Sequence, residues 1–325
     1  MSRLLCCPLA LLCLCVLLSV PAAAAPPTRP AGVAPSFSPT RPGPRAKAPT
    51  VVFSGLDSHA IRLFRVDGQW HLRTDDGRLL RLSNDGAATP VFSTLPKDMQ
   101  LFVVDKVWYG TTTKGIWRVE APGMKNVVWH NDVHGVQVID GHFWWSSSDL
   151  GGSIYRQPVG GTDAILVANE LGPADTFLSR EDDILVAMGG AVPRGIKRLH
   201  KATGGLTLLF ASRLFARRFL EVDGRTLIHM EDGAGFIKDL ISDQPGGKPS
   251  ETFKRLVISP GGSRALHVHG KSLVWCANSG VYRLDLVSGE SVALALNTNP
   301  RDLVVVDDEA FWIDGWRRQL LKIGL

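Results

Sequence analysis

The residues best suited to chemistry in this chain are histidine, aspartate and arginine side chains that recur at intervals of about 40 residues. They comprise a histidine–aspartate group, His59, Asp98, His134 and Asp175, and an arginine group, Arg217, Arg264 and Arg301. Guanidinium groups suit carboxylates and phosphates because their N–H donors match the geometry of those anions. The arginine group therefore predicts a site for an anionic ligand if the fold brings its members together. Three separate, solvated arginines are the alternative.

The histidine–aspartate group supports a second interpretation, an enzyme in which His59 or His134 acts as a general base. Asp98 or Asp175 would orient that histidine or hold a divalent metal. Two histidines four residues apart, as at 130 and 134, chelate metals well on a helix but predict little in a loop. The sequence therefore predicts no metal site and no cofactor, and it favours binding over catalysis.

A third interpretation is a surface that binds another protein. Trp316 and Arg317 lie together in a predicted loop, and tryptophan and arginine are common at the energetic centres of protein interfaces. The alternative is that Trp316 folds back over its own sheet. The expected partner is thus a protein or a small anion, and neither is identified by the sequence.

A unit of about 40 residues recurs seven times, and it must position these side chains. Each copy reads as an apolar strand, an acidic turn such as Val66-Asp67-Gly68, a second apolar strand, a third strand with a basic residue, and a fourth strand. The basic residues are Arg81, Arg118, Arg156, Arg198, Lys238, Arg283 and Lys322, and they could pair with acidic or carbonyl groups of the adjacent blade. Such repeats predict an all-β protein, a seven-bladed β-propeller.

The last copy ends at Leu325, before a fourth strand. Residues 50–54, Thr-Val-Val-Phe-Ser, match the fourth strands of other copies, especially Thr-Pro-Val-Phe-Ser at 89–93. We therefore expect 51–53 to pair beside 320–323 and to close the ring, because closure removes an exposed sheet edge. The predicted propeller spans residues 50–325, and a ligand site is expected in the variable loops around the mouth of its channel.

Two segments carry a family resemblance. Residues 299–307, Asn-Pro-Arg-Asp-Leu-Val-Val-Val-Asp, precede Phe-Trp-Ile-Asp at 311–314, and Phe-Trp-Trp-Ser at 143–146 precedes Gly-Ser-Ile-Tyr-Arg at 152–156. These resemble the YWTD-type repeats of lipoprotein-receptor propellers and their bacterial exported relatives. The resemblance implies ligand binding or scaffolding, and occasionally lyase or lactonase chemistry. Rings of that family have six blades, so a six-bladed ring is the alternative to the seven-bladed one.

The first 49 residues are predicted to lie outside the propeller. Residues 1–25 have the pattern of an export signal, with Arg3, an apolar run at 4–20 and cleavage near Ala24 or Ala25. A membrane anchor is the alternative. Residues 26–49 contain eight prolines and almost nothing apolar, which predicts a disordered linker. The mature protein is therefore expected in the periplasm or outside the cell.

The net charge of +5 comes from this N-terminal part, because residues 1–49 hold five basic residues and no acidic one. The remainder is formally neutral, so the basic composition does not indicate nucleic-acid binding. The basic linker could attach weakly, and in a salt-sensitive way, to an anionic surface. Cys276 is the single cysteine beyond residue 25, so no disulfide is expected in the mature chain and Cys276 is predicted to be a small core residue.

Overall fold

The computed structural model describes residues 48–83, 87–120, 123–169, 171, 174–188, 195–211, 215–222, 225–231, 236–240, 253–258, 265–277 and 280–325. In these ranges the chain forms 28 β-strands and one 3₁₀ turn, Asp149–Gly151, and no α-helix. The strands form seven antiparallel sheets of four strands each. This is the all-β architecture of a β-propeller.

The predicted export signal and all but the last two residues of the linker lie outside the described ranges. Within those ranges there is no helix of the length and apolarity that a membrane crossing requires.

We number the strands in chain order and the sheets by their first strand. The first and second sheets contain β2 (Ala60–Val66), β3 (Gln69–Thr74), β4 (Leu79–Leu82) and β5 (Ala88–Phe92), then β6 (Gln100–Val104), β7 (Val107–Thr112), β8 (Gly115–Glu120) and β9 (Gly123–Trp129). The third and fourth contain β10 (His134–Ile139), β11 (His142–Ser147), β12 (Ser153–Pro158) and β13 (Ile165–Ala168), then β14 (Ala174–Ser179), β15 (Asp183–Met188), β16 (Gly195–His200) and β17 (Leu206–Ala211).

The fifth and sixth sheets contain β18 (Phe215–Val222), β19 (Arg225–Glu231), β20 (Phe236–Leu240) and β21 (Phe253–Ile258), then β22 (Ala265–His269), β23 (Ser272–Ala277), β24 (Gly280–Asp285) and β25 (Ser291–Leu296). The seventh contains β26 (Pro300–Val306), β27 (Glu309–Asp314) and β28 (Gln319–Gly324), and its outer strand is β1 (Thr50–Ser54). The two ends of the described chain therefore share one sheet.

The pairing of β1 with β28 confirms the predicted closure. Val51 lies opposite Leu321, and Phe53 lies opposite Leu320, in an antiparallel ladder. Phe53 is buried in an apolar cluster with Leu320 and with Leu63 of the first sheet. Because one cluster unites residues of the seventh and first sheets, β1 both completes a sheet and joins two sheets together.

Clusters of buried apolar side chains fill the spaces between sheets that are neighbours in the chain. In the described residues there are seven such clusters, including the one that joins the seventh sheet to the first. The largest fully buried side chains include Trp145, Trp312 and Phe143. Each such burial stabilises the fold by about 2–3 kcal/mol. The inter-sheet contacts therefore form a closed circuit around a central channel.

The acidic turns between first and second strands have the conformation that tight hairpins favour. Asp67 and Gly68 have φ of 49° and 74°, and Asp140 and Gly141 have φ of 50° and 70°. Two successive residues with positive φ match the right-handed twist of the flanking strands, and Asp-Gly adopts them readily. These aspartates are thus explained by the turn geometry.

Three of the third-strand basic residues have a carboxylate partner in their own sheet rather than in the adjacent blade. Their carboxylate partners lie in the same sheet, at 2.9 Å for Arg118–Glu120, 3.7 Å for Arg198–Asp183 and 2.8 Å for Lys322–Glu309. Neighbouring strands of one sheet are about 5 Å apart, whereas packed sheets are about 10 Å apart. A partner in the same sheet is therefore reached first.

Candidate functional site

A cavity of about 480 Å³ lies where the first strands of several sheets face the channel. Residues of β2, β3, β6, β18, β22 and β26 line it together with the loop before β6. Its ionisable lining residues are Arg62, Arg73, Lys97, Asp98, Arg218, His267 and Asp302. We call it the central cavity. Four permanent cations face two carboxylates there, so its lining has an excess of positive charge.

Asp302 is the buried carboxylate of the central cavity. It accepts a hydrogen bond of 2.8 Å from the Leu63 amide, and its other oxygen lies 3.8 Å from an Arg62 guanidinium nitrogen. Burial raises the pKa of Asp302, and these two partners offset that effect only in part. Because Leu63 belongs to the first sheet and Asp302 to the seventh, this carboxylate also bridges the two sheets that close the ring.

Arg73 is the most deeply buried cation of the central cavity, with 3% of its surface exposed. Its guanidinium donates to the Pro96 carbonyl at 2.8 Å and to the Arg78 carbonyl at 3.4 Å. No carboxylate of the described chain lies within ion-pair distance of it, and burial lowers the pKa of Arg73 against the opposing effect of Asp76 and Asp75. Two carbonyls cannot satisfy the five N–H groups of a guanidinium. Donor capacity is therefore left for a ligand.

His267 belongs to the sixth sheet and donates to the Leu303 carbonyl of the seventh at 2.7 Å. Burial lowers the pKa of His267, although that hydrogen bond favours the charged form. The imidazole is therefore neutral at pH 7 and adds no charge to the central cavity. Beside it, Arg218 donates to the Leu266 carbonyl at 3.3 Å.

A second cavity, of about 440 Å³, adjoins the first between the second and third sheets. Asp98, Gln100 and Leu101 line both cavities. The other lining residues of this second cavity are Phe102, Thr111, Thr112, Thr113, Val133, His134, Gly135 and Val136. Its lining is thus polar and, apart from Asp98, carries no permanent charge.

His134 is held by a carboxylate at the edge of the second cavity. Its Nε2 lies 2.7 Å from Asp132 Oδ1, and the Asp132 carboxylate also accepts hydrogen bonds from the hydroxyl and the amide of Ser148. Asp132 has a φ of 61°, a left-handed conformation that aspartate tolerates. The loop therefore fixes the histidine–aspartate pair in one orientation.

No protein-family model and no curated protein matches the sequence. Solved structures with a similar fold include a designed protein, a lyase and an extracellular domain. The designed protein Ika8 has a TM-score of 0.59 at 12% identity, over 85% of this chain and 99% of that chain. Virginiamycin B lyase from Staphylococcus aureus has a TM-score of 0.61 at 13% identity, over 85% and 99%. The extracellular domain of BT4673 from B. thetaiotaomicron has a TM-score of 0.62 at 13% identity, over 86% of this chain and 40% of that chain. Identities this low establish the fold alone.

The arginine group predicted from the sequence is only partly within the described structure. Arg264 and the side chain of Arg217 lie outside it. Arg301 reaches from the seventh sheet to the first, where it donates to the carbonyls of Ser58 at 2.5 Å and Ala60 at 3.1 Å. It lines neither cavity. Arg301 thus fastens the ring closure, and the predicted convergence of the three arginines stays a prediction.

The predicted histidine–aspartate group is divided among different partners. His59 lies 2.6 Å from Asp75, and both side chains are about half exposed. Asp98 and His134 line the same cavity, but the carboxylate that holds His134 is Asp132. The side chain of Asp175 lies outside the described structure. Among the described residues, no cluster of three or more His, Cys, Asp or Glu side chains has the arrangement of a metal site.

Trp316 is exposed rather than folded back, with 66% of its surface accessible. The loop that carries it is rigid because the buried Asp314 accepts hydrogen bonds from the amides of Trp316 and Arg317 and from the Arg317 guanidinium. Exposure and rigidity suit an interface residue, and the protein-binding surface at Trp316 and Arg317 stays a prediction.

Five residues of the central cavity were not predicted from the sequence: Arg62, Arg73, Lys97, Arg218 and Asp302. Two of these directly follow predicted ones, since Arg218 succeeds Arg217 and Asp302 succeeds Arg301. Successive residues of a strand face opposite sides, so a one-residue error exchanges the channel face for the other face. The repeat period therefore locates the channel-facing positions of the first strands to within one residue.

Proposed function

We propose that the protein is an exported, seven-bladed β-propeller, each four-stranded sheet being one blade, and that it serves as a binding module for a small anionic ligand. The ligand occupies the central cavity. The observation that carries this proposal is the buried Arg73 guanidinium, which has carbonyl partners but no carboxylate partner in the described chain. The apolar run and small-residue cleavage pattern of residues 1–25 support export.

A buried cation with no carboxylate within ion-pair distance is costly to a fold, because its charge has lost hydration without a compensating contact. The presence of a side chain that destabilises the ligand-free protein is explained if a bound ligand compensates its charge. A carboxylate or phosphate can do so through two parallel hydrogen bonds to a guanidinium. Arg62 and Lys97 are exposed in the same cavity, so they would add charge complementarity at its entrance.

Replacing Arg73 with methionine should therefore separate binding from stability. We expect the Arg73→Met variant to bind citrate and inorganic phosphate about tenfold or more weakly, because hydrogen bonds to charged groups are lost. Its free energy of unfolding should be unchanged or higher. Isothermal titration calorimetry measures the first effect and urea denaturation the second.

Arg81→Met is the matched control, because Arg81 is exposed on β4 and lines neither cavity. This variant should leave the affinity for citrate and phosphate and the free energy of unfolding unchanged. If Arg73→Met destabilised the protein and left anion affinity unaltered, Arg73 would be a structural residue and the proposal would fail.

The His134–Asp132 pair favours a second candidate function, a lactonase-type enzyme. With Nε2–H donating to Asp132, Nδ1 is the nitrogen that can accept a proton from water. That water would attack a lactone carbonyl, the ring C–O bond would break, and the leaving oxygen would take the proton back. This reaction needs no group other than substrate and water.

A panel of simple lactones, followed by acid release in a pH-stat, tests this candidate. His134→Gln should lower turnover by about a hundredfold or more, as expected for a lost general base. His59→Gln is the matched control, since His59 also pairs with an aspartate but on the first sheet. Equal losses in the two variants, or turnover that survives His134→Gln, would rule out His134 as the base.

A further inference from the structure

Resting on the proposed anion site, we infer that the ligand is an acidic carbohydrate, that is, a polyhydroxylated ring with one carboxylate or phosphate group. The anionic group would lie in the central cavity beside Arg73, and the ring would lie in the second cavity. Three features of the structure support this ligand class: the two cavities share lining residues, the second is lined by hydroxyl and amide groups, and it also has apolar lining residues.

The two cavities share a wall at the beginning of β6. Asp98, Gln100 and Leu101 line both of them, so a ligand that contacts these residues from the mouth of the channel reaches into either cavity. The charges are distributed unequally between them. Arginine and lysine line the central cavity, whereas neither lines the second. A ligand that fits both therefore has one anionic end and one neutral, polar end.

The second cavity offers the hydrogen-bonding groups that hydroxyls need. Asp98 and Gln100 provide acceptors, and carboxylate oxygens accept well from neighbouring hydroxyls. The Thr112 hydroxyl accepts from the Lys114 amide and from the Trp117 indole, each at 3.2 Å. Its oxygen is thus occupied as an acceptor, and its hydrogen has no acceptor in the described chain. The Thr112 hydroxyl can therefore donate to a ligand oxygen.

Apolar side chains also line the second cavity. Phe102, Val133 and Val136 line the same cavity, and the Phe102 ring is fixed by stacking on Tyr109 at a centroid distance of 5.8 Å. A sugar ring has a face of C–H groups and an edge of hydroxyls, so it matches a lining that contains both apolar and polar groups. A flat aromatic acid would leave the hydroxyl and amide groups of this cavity unpaired.

The test compares five probes on the full chain by isothermal titration calorimetry: D-glucuronate, glucose 6-phosphate, D-glucose, acetate and inorganic phosphate. We expect D-glucuronate to bind about tenfold or more tightly than acetate, or glucose 6-phosphate to bind similarly more tightly than phosphate, because about two additional net hydrogen bonds form. Whichever pair shows the larger ratio identifies the anionic group. D-glucose should bind more weakly than either acidic sugar.

The double variant Thr111→Val/Thr113→Val should abolish the preference for an acidic sugar over its simple anion while leaving the affinity for acetate and phosphate unchanged, since both residues line only the second cavity. Thr162→Val, an exposed loop substitution, is the matched control. If acidic sugars bound no more tightly than the simple anions, the carbohydrate inference would be overturned and the anion site would stand. If none of the anions bound, the proposed function itself would fail.

Discussion

Deleting residues 50–54 should lower the melting temperature of the whole domain by about 10 °C or more. The deletion removes β1, its ladder with β28, and the buried Phe53 side chain. Loss of one buried phenylalanine alone costs about 3–5 kcal/mol, and each kcal/mol shifts the melting temperature of a domain of this size by about 2–4 °C. The exposed edge of β28 should also promote association between molecules. Differential scanning calorimetry and light scattering measure the two effects.

Two point variants separate side-chain packing from strand pairing in this prediction. Phe53→Ala should reproduce a large part of the loss, because Phe53 is 8% exposed between the seventh and first sheets. Val51→Ala should have an effect below about 0.5 kcal/mol, as is usual for surface positions, because Val51 is 46% exposed. A deletion variant that melts at the temperature of the intact chain would show that ring closure does not limit stability.

The ring architecture could be predicted from the sequence because each repeat carries its own local signals. The Asp-Gly turn at 67–68 predicts a tight hairpin, and the structure has positive φ at both residues. The likeness between residues 50–54 and 89–93 predicted which strand closes the ring, and the β1–β28 ladder confirms it. These signals span a few residues each, so alternation and turn chemistry are sufficient to detect them.

The site was predicted less well because the first strands are irregular where they line the channel. The pairing register shifts between Ala60 and Arg62, between Ala216 and Arg218, and between Pro300 and Leu303. A bulge inserts one residue into a strand and reverses which side chains face the channel beyond it. Position within the repeat then does not decide which residue of a neighbouring pair faces the channel, as with Arg301 and Asp302.

Arg73 could not have been found in this way, because it lies at the end of a second strand rather than on a first strand. One of its hydrogen-bond partners is the Pro96 carbonyl, which belongs to the loop before the next sheet. The sequence contains 36 arginines and lysines, and nothing in local pattern distinguishes one whose charge is buried beside a cavity. Such a residue is recognised only when contacts distant in the chain are known.

Asp314 forms the polar centre of the seventh sheet. This fully buried carboxylate accepts hydrogen bonds from the Thr298 hydroxyl at 2.9 Å, the Trp316 amide at 2.9 Å and the Arg317 guanidinium at 2.6 Å. Thr298 in turn accepts a hydrogen bond from the indole of Trp312, one of the largest buried side chains. One carboxylate thus connects the loop before β26, the turn after β27 and the apolar core.

Replacing Asp314 with alanine should lower the free energy of unfolding by about 3 kcal/mol, since several hydrogen bonds to a charged group are lost and the Thr298 hydroxyl stays buried without that acceptor. Urea denaturation at pH 7 measures this loss. Asp285→Ala is the matched control: Asp285 accepts from the amides of Val287 and Ser288 in a similar turn but is more exposed, so its loss should be clearly smaller. Equal losses of the free energy of unfolding in the two variants would mean that the burial of Asp314 adds nothing to stability.

The same carboxylate predicts a pH dependence. Burial raises the pKa of Asp314, but hydrogen bonds from Arg317, Thr298 and Trp316 outweigh it and hold the pKa below its ordinary value. A lowered pKa in the folded state means that the charged form stabilises the fold above the unfolded pKa, about 3.9, and that this stabilisation is lost as the pH falls below it. Between pH 5 and pH 2.5 the wild type should therefore lose more stability than Asp314→Asn. Parallel losses in the two proteins would show that the Asp314 charge does not stabilise the fold.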